Sequence, residues 1–230
     1  MGTQRIFAAG VEVLLLLLSL SAREAFKAWT AELCGDSTGR LLGRVSLNPL
    51  RHLDLVGSII LPGILLAFQA PVFGWGRPVP LLEKNLREPY RDGLLIASAG
   101  PFCSFVLALL GSAALLIAVG VTGQPGLEAA QAVLLHQWDH AGAPHFPLMF
   151  TLTGLVSVNT FLTAFHLIPL PPLDGGRIAL HLLPQDWAEK LAAIRPTGFM
   201  SGMALALLVL GGLVLPLLFG ILTALIQFVV

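Results

Sequence analysis

Phe165-His166-Leu167-Ile168-Pro169-Leu170-Pro171-Pro172-Leu173-Asp174-Gly175-Gly176-Arg177 is the most informative run in the chain. It closes an apolar run that begins near residue 146, and its prolines stop the helix that run predicts, because proline has no N–H to donate and clashes with the preceding turn. A single carboxylate, Asp174, then stands in a glycine turn beside the end of a membrane-length segment. Two readings stand side by side here. An ionisable residue at membrane depth marks a functional site by default; alternatively, Asp174 caps the polar helix predicted over 177–195, a position aspartate favours.

The rest of the 230-residue chain decides what kind of solvent this run meets. It is 56% hydrophobic and 11% charged, with a mean hydropathy of +0.84. Soluble domains are about a quarter charged, so this chain lacks the polar surface to cover a water-soluble globule. Lipid is its natural surrounding, and a helix there needs about 20 mostly apolar residues to cross. Lys+Arg and Asp+Glu are 13 each, and no basic block alternates with aromatics, so nucleic acid is not an expected partner; the lipid bilayer is. Cys34 and Cys103 are unclustered and read as buried thiols, not as a disulfide or metal framework.

Five apolar stretches follow one another: about 6–34, 55–72, 93–121, 146–170 and 198–230. The first carries Arg23, Glu24, Lys27 and Glu32 in its second half, and it continues past any signal-peptide exit, so it reads as a retained membrane helix. The second is broken by Pro62-Gly63, which suits a re-entrant segment. If it dips and returns, and the N-terminus lies outside, the cytoplasmic side collects every Lys and Arg between Arg40 and Arg195, leaving only Arg5 on the other face. The predicted fold is therefore an all-α, polytopic membrane bundle of about four to five spans, one of them re-entrant in the preferred topology. Weak alternation in Arg44-Val45-Ser46-Leu47 adds a short β-hairpin after the first helix. The chain reads as a single domain over 1–230, with its last span over about 198–230, no internal repeat, and a multi-pass placement in a prokaryotic inner membrane.

The 165–177 run resembles the motif of the site-2 protease family (peptidase family M50, intramembrane zinc metalloproteases), in which F-N-L-[IL]-P-x-P-P-L-D-G-G-R supplies a zinc-binding aspartate. Here His166 stands where that family has asparagine. Other pieces agree in order and spacing: Leu47-Asn48-Pro49-Leu50-Arg51-His52-Leu53-Asp54, Phe73-Gly74-Trp75-Gly76-Arg77-Pro78-Val79-Pro80, Ala99-Gly100-Pro101 and Asn159. The resemblance covers about residues 15–185. It implies a zinc ligand at Asp174 and a general base at Glu24, with Asn159, Pro171, Pro172, Gly175 and Gly176 shaping the groove.

The departure lies in the first helix. Where the family has H-E-x-x-H-A-W-T-A, this chain has Arg23-Glu24-Ala25-Phe26-Lys27-Ala28-Trp29-Thr30-Ala31. In the family pattern the two histidines share one helical face and hold zinc, while the glutamate is the base for the metal-bound water. A guanidinium offers no lone pair and an ammonium offers none while protonated. With Arg23 and Lys27 in those seats, Asp174 alone remains of three protein ligands, and no metal cofactor is expected, zinc being the family's. His52 and His166 are the substitutes within sequence reach. The loop residues His136, Asp139, His140 and His145 have ligand-like spacing, but topology puts them on the opposite face. A carboxylate–guanidinium pair between Asp174 and Arg23 is the expected occupant of the metal's place.

Three functions follow. The first is a catalytically inactive homologue, its degenerate site facing the cytoplasm, that binds transmembrane peptides or membrane-protein partners. The second is an active intramembrane metalloprotease with a non-standard metal site. The third is a small transporter, suggested by the broken helix and intramembrane charges.

Overall fold

The computed structural model describes residues 3–67, 72–134, 142–171 and 173–193, together with residues 220 and 224. Pro172, the loop residues His136, Asp139 and His140, and nearly all of the expected last span lie outside the described residues. Every regular element among the described residues is helical. The α-helices among them are, in chain order, α1 (Thr3–Leu33), α2 (Thr38–Leu41), α3 (Leu61–Ala67), α4 (Pro89–Thr122), α5 (Gln124–Leu134), α6 (Phe146–His166), α7 (Asp174–Leu182) and α8 (Gln185–Ala192).

Two of them, α4 and α6, are long and apolar enough to cross a membrane. Both open on a proline in their first turn, where a missing N–H costs nothing. Helix α1 has 31 residues, about 46 Å at about 1.5 Å per residue, and runs without a break from its leucine-rich half into its charged half. Its inward positions Leu16, Leu20, Arg23, Glu24, Lys27, Ala28 and Ala31 are all buried. Their spacing of three and four is the one-face period of a helix, so the same stripe that buries leucines at one end carries cations and a carboxylate inward at the other.

The core sits between α4, α5 and α6, where Leu115, Val119, Ala129, Ala130, Met149 and Val156 form one cluster. Gly111 lets α6 approach closely, since a β-carbon there would meet Val156 at 3.1 Å. Leu16 and Leu20 of α1 pack with Leu162 of α6. The side chain of Asn159 donates to Ser19 Oγ and to Leu155 O, both at 2.9 Å, and the first of these ties α6 to α1.

One expectation meets a different structure. The alternation in Arg44–Leu47 forms no strand, and no strand exists among the described residues. The groups a ladder would need are used in turns: Arg44 N donates to Gly39 O at 2.8 Å, the Arg44 guanidinium donates to the carbonyls of Arg77 and Pro78, and the His52 ring meets Ser46 O at 2.7 Å. Only isolated backbone bonds, such as Arg77 N to His52 O at 2.8 Å, join the 43–58 and 73–80 segments. The second apolar stretch becomes a π-helical turn, Leu55–Ile60, running into α3. Asp54 caps its start by accepting from Val56 N and Gly57 N. The described helix there is too short to cross, at about 1.5 Å per residue against a core about 30 Å thick.

Candidate functional site

The backbone on either side of Leu170 and Leu173 turns back on the end of α6. Leu170 N donates to Ile168 O at 2.8 Å and Leu173 N to Leu170 O at 2.9 Å. The first turn of α7 then lies directly on this backbone: a β-carbon on Gly175 would sit 2.3 Å from Leu167 O, and one on Gly176 would sit 2.4 Å from the Leu170 carbonyl carbon. Backbone cannot give way as a flexible side chain would, so only glycine fits these two places. That contact fixes Asp174, the first residue of α7, against α1.

Asp174 does not cap its helix. Leu173 holds the cap position and no side chain bonds there. The Asp174 carboxylate, 3% exposed, turns instead to two cations of α1. Lys27 Nζ donates to Oδ1 at 2.6 Å, and Arg23 Nη2 donates to Oδ2. Arg23, 1% exposed, also lies with its Nη1 3.6 Å from Glu24 Oε1. His166 completes the group, with Nδ1 3.6 Å from Asp174 Oδ2. Neither ring nitrogen of His166 has a hydrogen-bond partner among the described residues, and neither do Glu24 Oε2 and Arg23 Nε.

Gly100 of α4 forms the opposite wall, and its part in the site was not foreseen. A β-carbon there would lie 3.0 Å from Arg23 Nε, from Arg23 Nη2 and from Lys27 Cδ. The Ala99-Gly100-Pro101 motif contained the position, but a glycine inside an apolar run says nothing of which side chain crowds it. One turn later Ser104 is completely buried and its hydroxyl has no partner among the described residues.

His52 is not drawn into this group. Its Nε2 is engaged by Ser46 O, and burial together with the neighbouring Arg44 and Arg51 holds its imidazole below the ordinary value of 6.5. His145 stands just before α6 and makes no capping bond. Pro171 and Gly76 border the site, and a β-carbon on Gly76 would meet His52 O at 3.3 Å and Glu24 Cγ at 3.4 Å. Phe73 packs edge-on against Phe165 and Phe161, at 4.7 and 5.2 Å between ring centres, which fastens the segment beside the site to α6. A second carboxylate, Asp36, braces the loops below. It accepts from Leu82 N at 2.8 Å, Asn85 Nδ2 at 2.9 Å and the Thr38 backbone and hydroxyl. Burial pushes its carboxyl up, but these donors outweigh burial and hold it below its usual range.

The donor set does not fit a zinc ion. Both oxygens of Asp174 already accept from cations, and zinc needs about three protein lone pairs in a tetrahedral array. Among the described residues no three His, Cys, Asp or Glu side chains come together as a metal could use them; in particular His52, His166 and Asp174 do not converge.

No protein-family model and no solved structure matches the chain. Two curated relatives do, each bearing the name "Putative zinc metalloprotease". YwhC of Bacillus subtilis (strain 168) is 34% identical over 203 residues, 88% of this chain and 83% of the relative. Rip2 of Mycolicibacterium smegmatis (strain ATCC 700084 / mc(2)155) is 30% identical over 195 residues, 83% of this chain and 65% of the relative. With 34% identity over most of both chains, the chain belongs to the site-2 protease family of membrane proteins.

Proposed function

We propose that this chain is a non-catalytic member of the site-2 protease family, and that it works by holding a membrane segment of a partner protein in the groove that hydrolytic relatives would use for substrate. One observation carries the reading: the carboxylate that would ligate the metal is engaged on both oxygens by Lys27 and Arg23. Those two fixed positive charges occupy the side of Asp174 that faces α1 and repel an incoming cation. Without the metal, the lowering of a bound water's pKa to about 7 is lost, and Glu24 has no activated water to deprotonate. The scaffold that shapes the groove is kept: the Gly175-Gly176 turn, Asn159 and the aromatic clamp on Phe73. In this reading the chain is multi-pass, the segment 55–72 is re-entrant, and the cluster faces the cytoplasm of a prokaryotic inner membrane, as the charge distribution favours.

A second reading, an active enzyme with a displaced metal, has one observation in its favour. His166 is buried beside Asp174 with both ring nitrogens unpartnered among the described residues. A cleavage assay separates the two. Purified protein in lipid vesicles is incubated with reporter peptides that span the bilayer, with zinc and with chelator. The non-catalytic reading expects intact peptide in both arms, and saturable binding of the peptide to the protein. Chelator-sensitive cleavage that disappears in Glu24→Gln would establish the second reading instead.

A further inference from the structure

The cations at the former histidine positions do more than block a ligand set. Each of the two carboxylates in the cluster, Glu24 and Asp174, is at most 3% exposed, and so is Arg23; Lys27 is 8% exposed. A lone ionised carboxylate at membrane depth is costly. In a metal-bearing arrangement of neutral histidines, a divalent ion would balance the two carboxylates. Here one guanidinium and one ammonium supply the same two positive charges, and the cluster again sums to zero. Replacing either histidine position alone by a cation would leave the sum wrong by one charge. Replacing both keeps it right without any ion.

We infer that Arg23 and Lys27 together are a tethered, charge-equivalent replacement for a divalent cation, joining α1 to α7 through Asp174, balancing Glu24, and making the fold independent of metal. The inference rests on the non-catalytic reading and deepens it. The geometry is that of a shared counter-ion: the two cations, one helical turn apart on α1, each take a different oxygen of Asp174, while the guanidinium also reaches Glu24. Their bulk is larger than that of imidazoles around an ion, and the wall that faces them is a glycine. Gly100 leaves 3.0 Å between a notional β-carbon and both side chains, so even one methyl group would press on the pair. Arg23 and Lys27 are thus positioning residues for the helix bundle, with no role in chemistry.

Charge count, not any one contact, is what the experiment must read. Arg23→Gln removes one cation and leaves the cluster with a net negative charge. The double variant Arg23→Gln/Glu24→Gln removes one of each sign and restores neutrality. The inference expects the double variant to melt higher in detergent than the single one, although it has lost more charged groups. A double variant that melts at or below the single one overturns the inference, since a sum of independent contacts would behave that way. The second arm is Arg23→His/Lys27→His. Without metal it should melt well below the wild-type chain; with one equivalent of zinc it should recover, and Asp174→Asn should remove the recovery. Metal-free double-histidine protein as stable as the wild-type chain would overturn the inference. Should that variant resist purification, the glutamine pair decides alone. Zinc bound tightly by the wild-type chain would bring down the non-catalytic reading itself; a wild-type chain free of zinc with the wrong order in the glutamine pair would bring down only the charge-replacement inference.

Discussion

Replacing Asp174 by alanine removes the one group that both buried cations of α1 share. The magnitude can be worked from the contacts. Asp174 accepts two charge-assisted hydrogen bonds, from Lys27 Nζ at 2.6 Å and from Arg23 Nη2, and each such bond is worth about 1.5–3 kcal/mol. Breaking a buried pair by deleting one partner costs about 3–5 kcal/mol, because the remaining charge is left uncompensated. The two routes agree near 4 kcal/mol. For a chain of this size each kcal/mol moves Tm by about 2–4 °C, so the expected fall is about 8–16 °C. The four tryptophans of the chain allow the melt to be followed by intrinsic fluorescence in detergent. Asp174→Asn keeps the volume and removes the charge; it should lose nearly as much as alanine. The control is the exposed Arg40–Glu32 pair, whose side chains are 53% and 23% exposed. Surface pairs contribute about 0–1 kcal/mol, so Arg40→Ala should shift Tm by no more than about 4 °C. Asp174→Ala melting within the range of this control would refute the claim that the carboxylate locks α7 to α1.

Three further outcomes are expected. Gly100→Ala puts a methyl group 3.0 Å from Arg23 and Lys27, and overpacking of this kind costs about 1–3 kcal/mol; an unchanged detergent melt would mean that the wall is not tight. Asn159→Ala removes the bond to Ser19 Oγ between α6 and α1, and should cost about 0.6–2 kcal/mol, as interhelical polar contacts in membranes do; an equal loss in Ser19→Ala, with no further loss in the double variant, would confirm the pair. His52 gives a pH dependence. Burial depresses its folded pKa below 6.5, so as pH falls the unfolded chain takes up the proton first. This contribution to stability is complete above about pH 6.5 and is lost as pH drops from there towards the folded pKa. His52→Gln should flatten that part of the pH–Tm curve, and an identical curve in the variant would show that other groups cause it.

The sequence made the site more legible than the fold around it. Asp174 was marked by its surroundings, an acidic residue between prolines and glycines at the end of an apolar run, and the i, i+4 spacing of Arg23 and Lys27 put both cations on one face of α1. That Asp174 should face them came from the resemblance to the site-2 protease family, not from the pattern of the residues alone. Local pattern left the capping reading of Asp174 open; the decision lay in tertiary contact, where Leu173 takes the cap position and the carboxylate turns to α1. Gly100 was invisible as a site wall for the same reason. The alternation at Arg44–Leu47 misled because period-two patterning reports only side-chain polarity. The backbone there is held by turns instead, with Arg44 N bonded to Gly39 O and Ser46 O met by the His52 ring. In the 55–72 stretch, composition announced an apolar segment and Pro62 announced a break, but the π-helical turn that precedes the proline depends on Asp54 capping Val56 and Gly57.

The central claim, that this member of the site-2 protease family holds two cations where a metal would sit, meets its most direct test in the metal content of the purified wild-type chain after equilibration with zinc. Far less than one zinc per chain is expected, with the same trace amount in Asp174→Ala. About one tightly held zinc per chain, lost in Asp174→Ala, would contradict it, since a catalytic site of that occupancy requires ligands the cluster does not free.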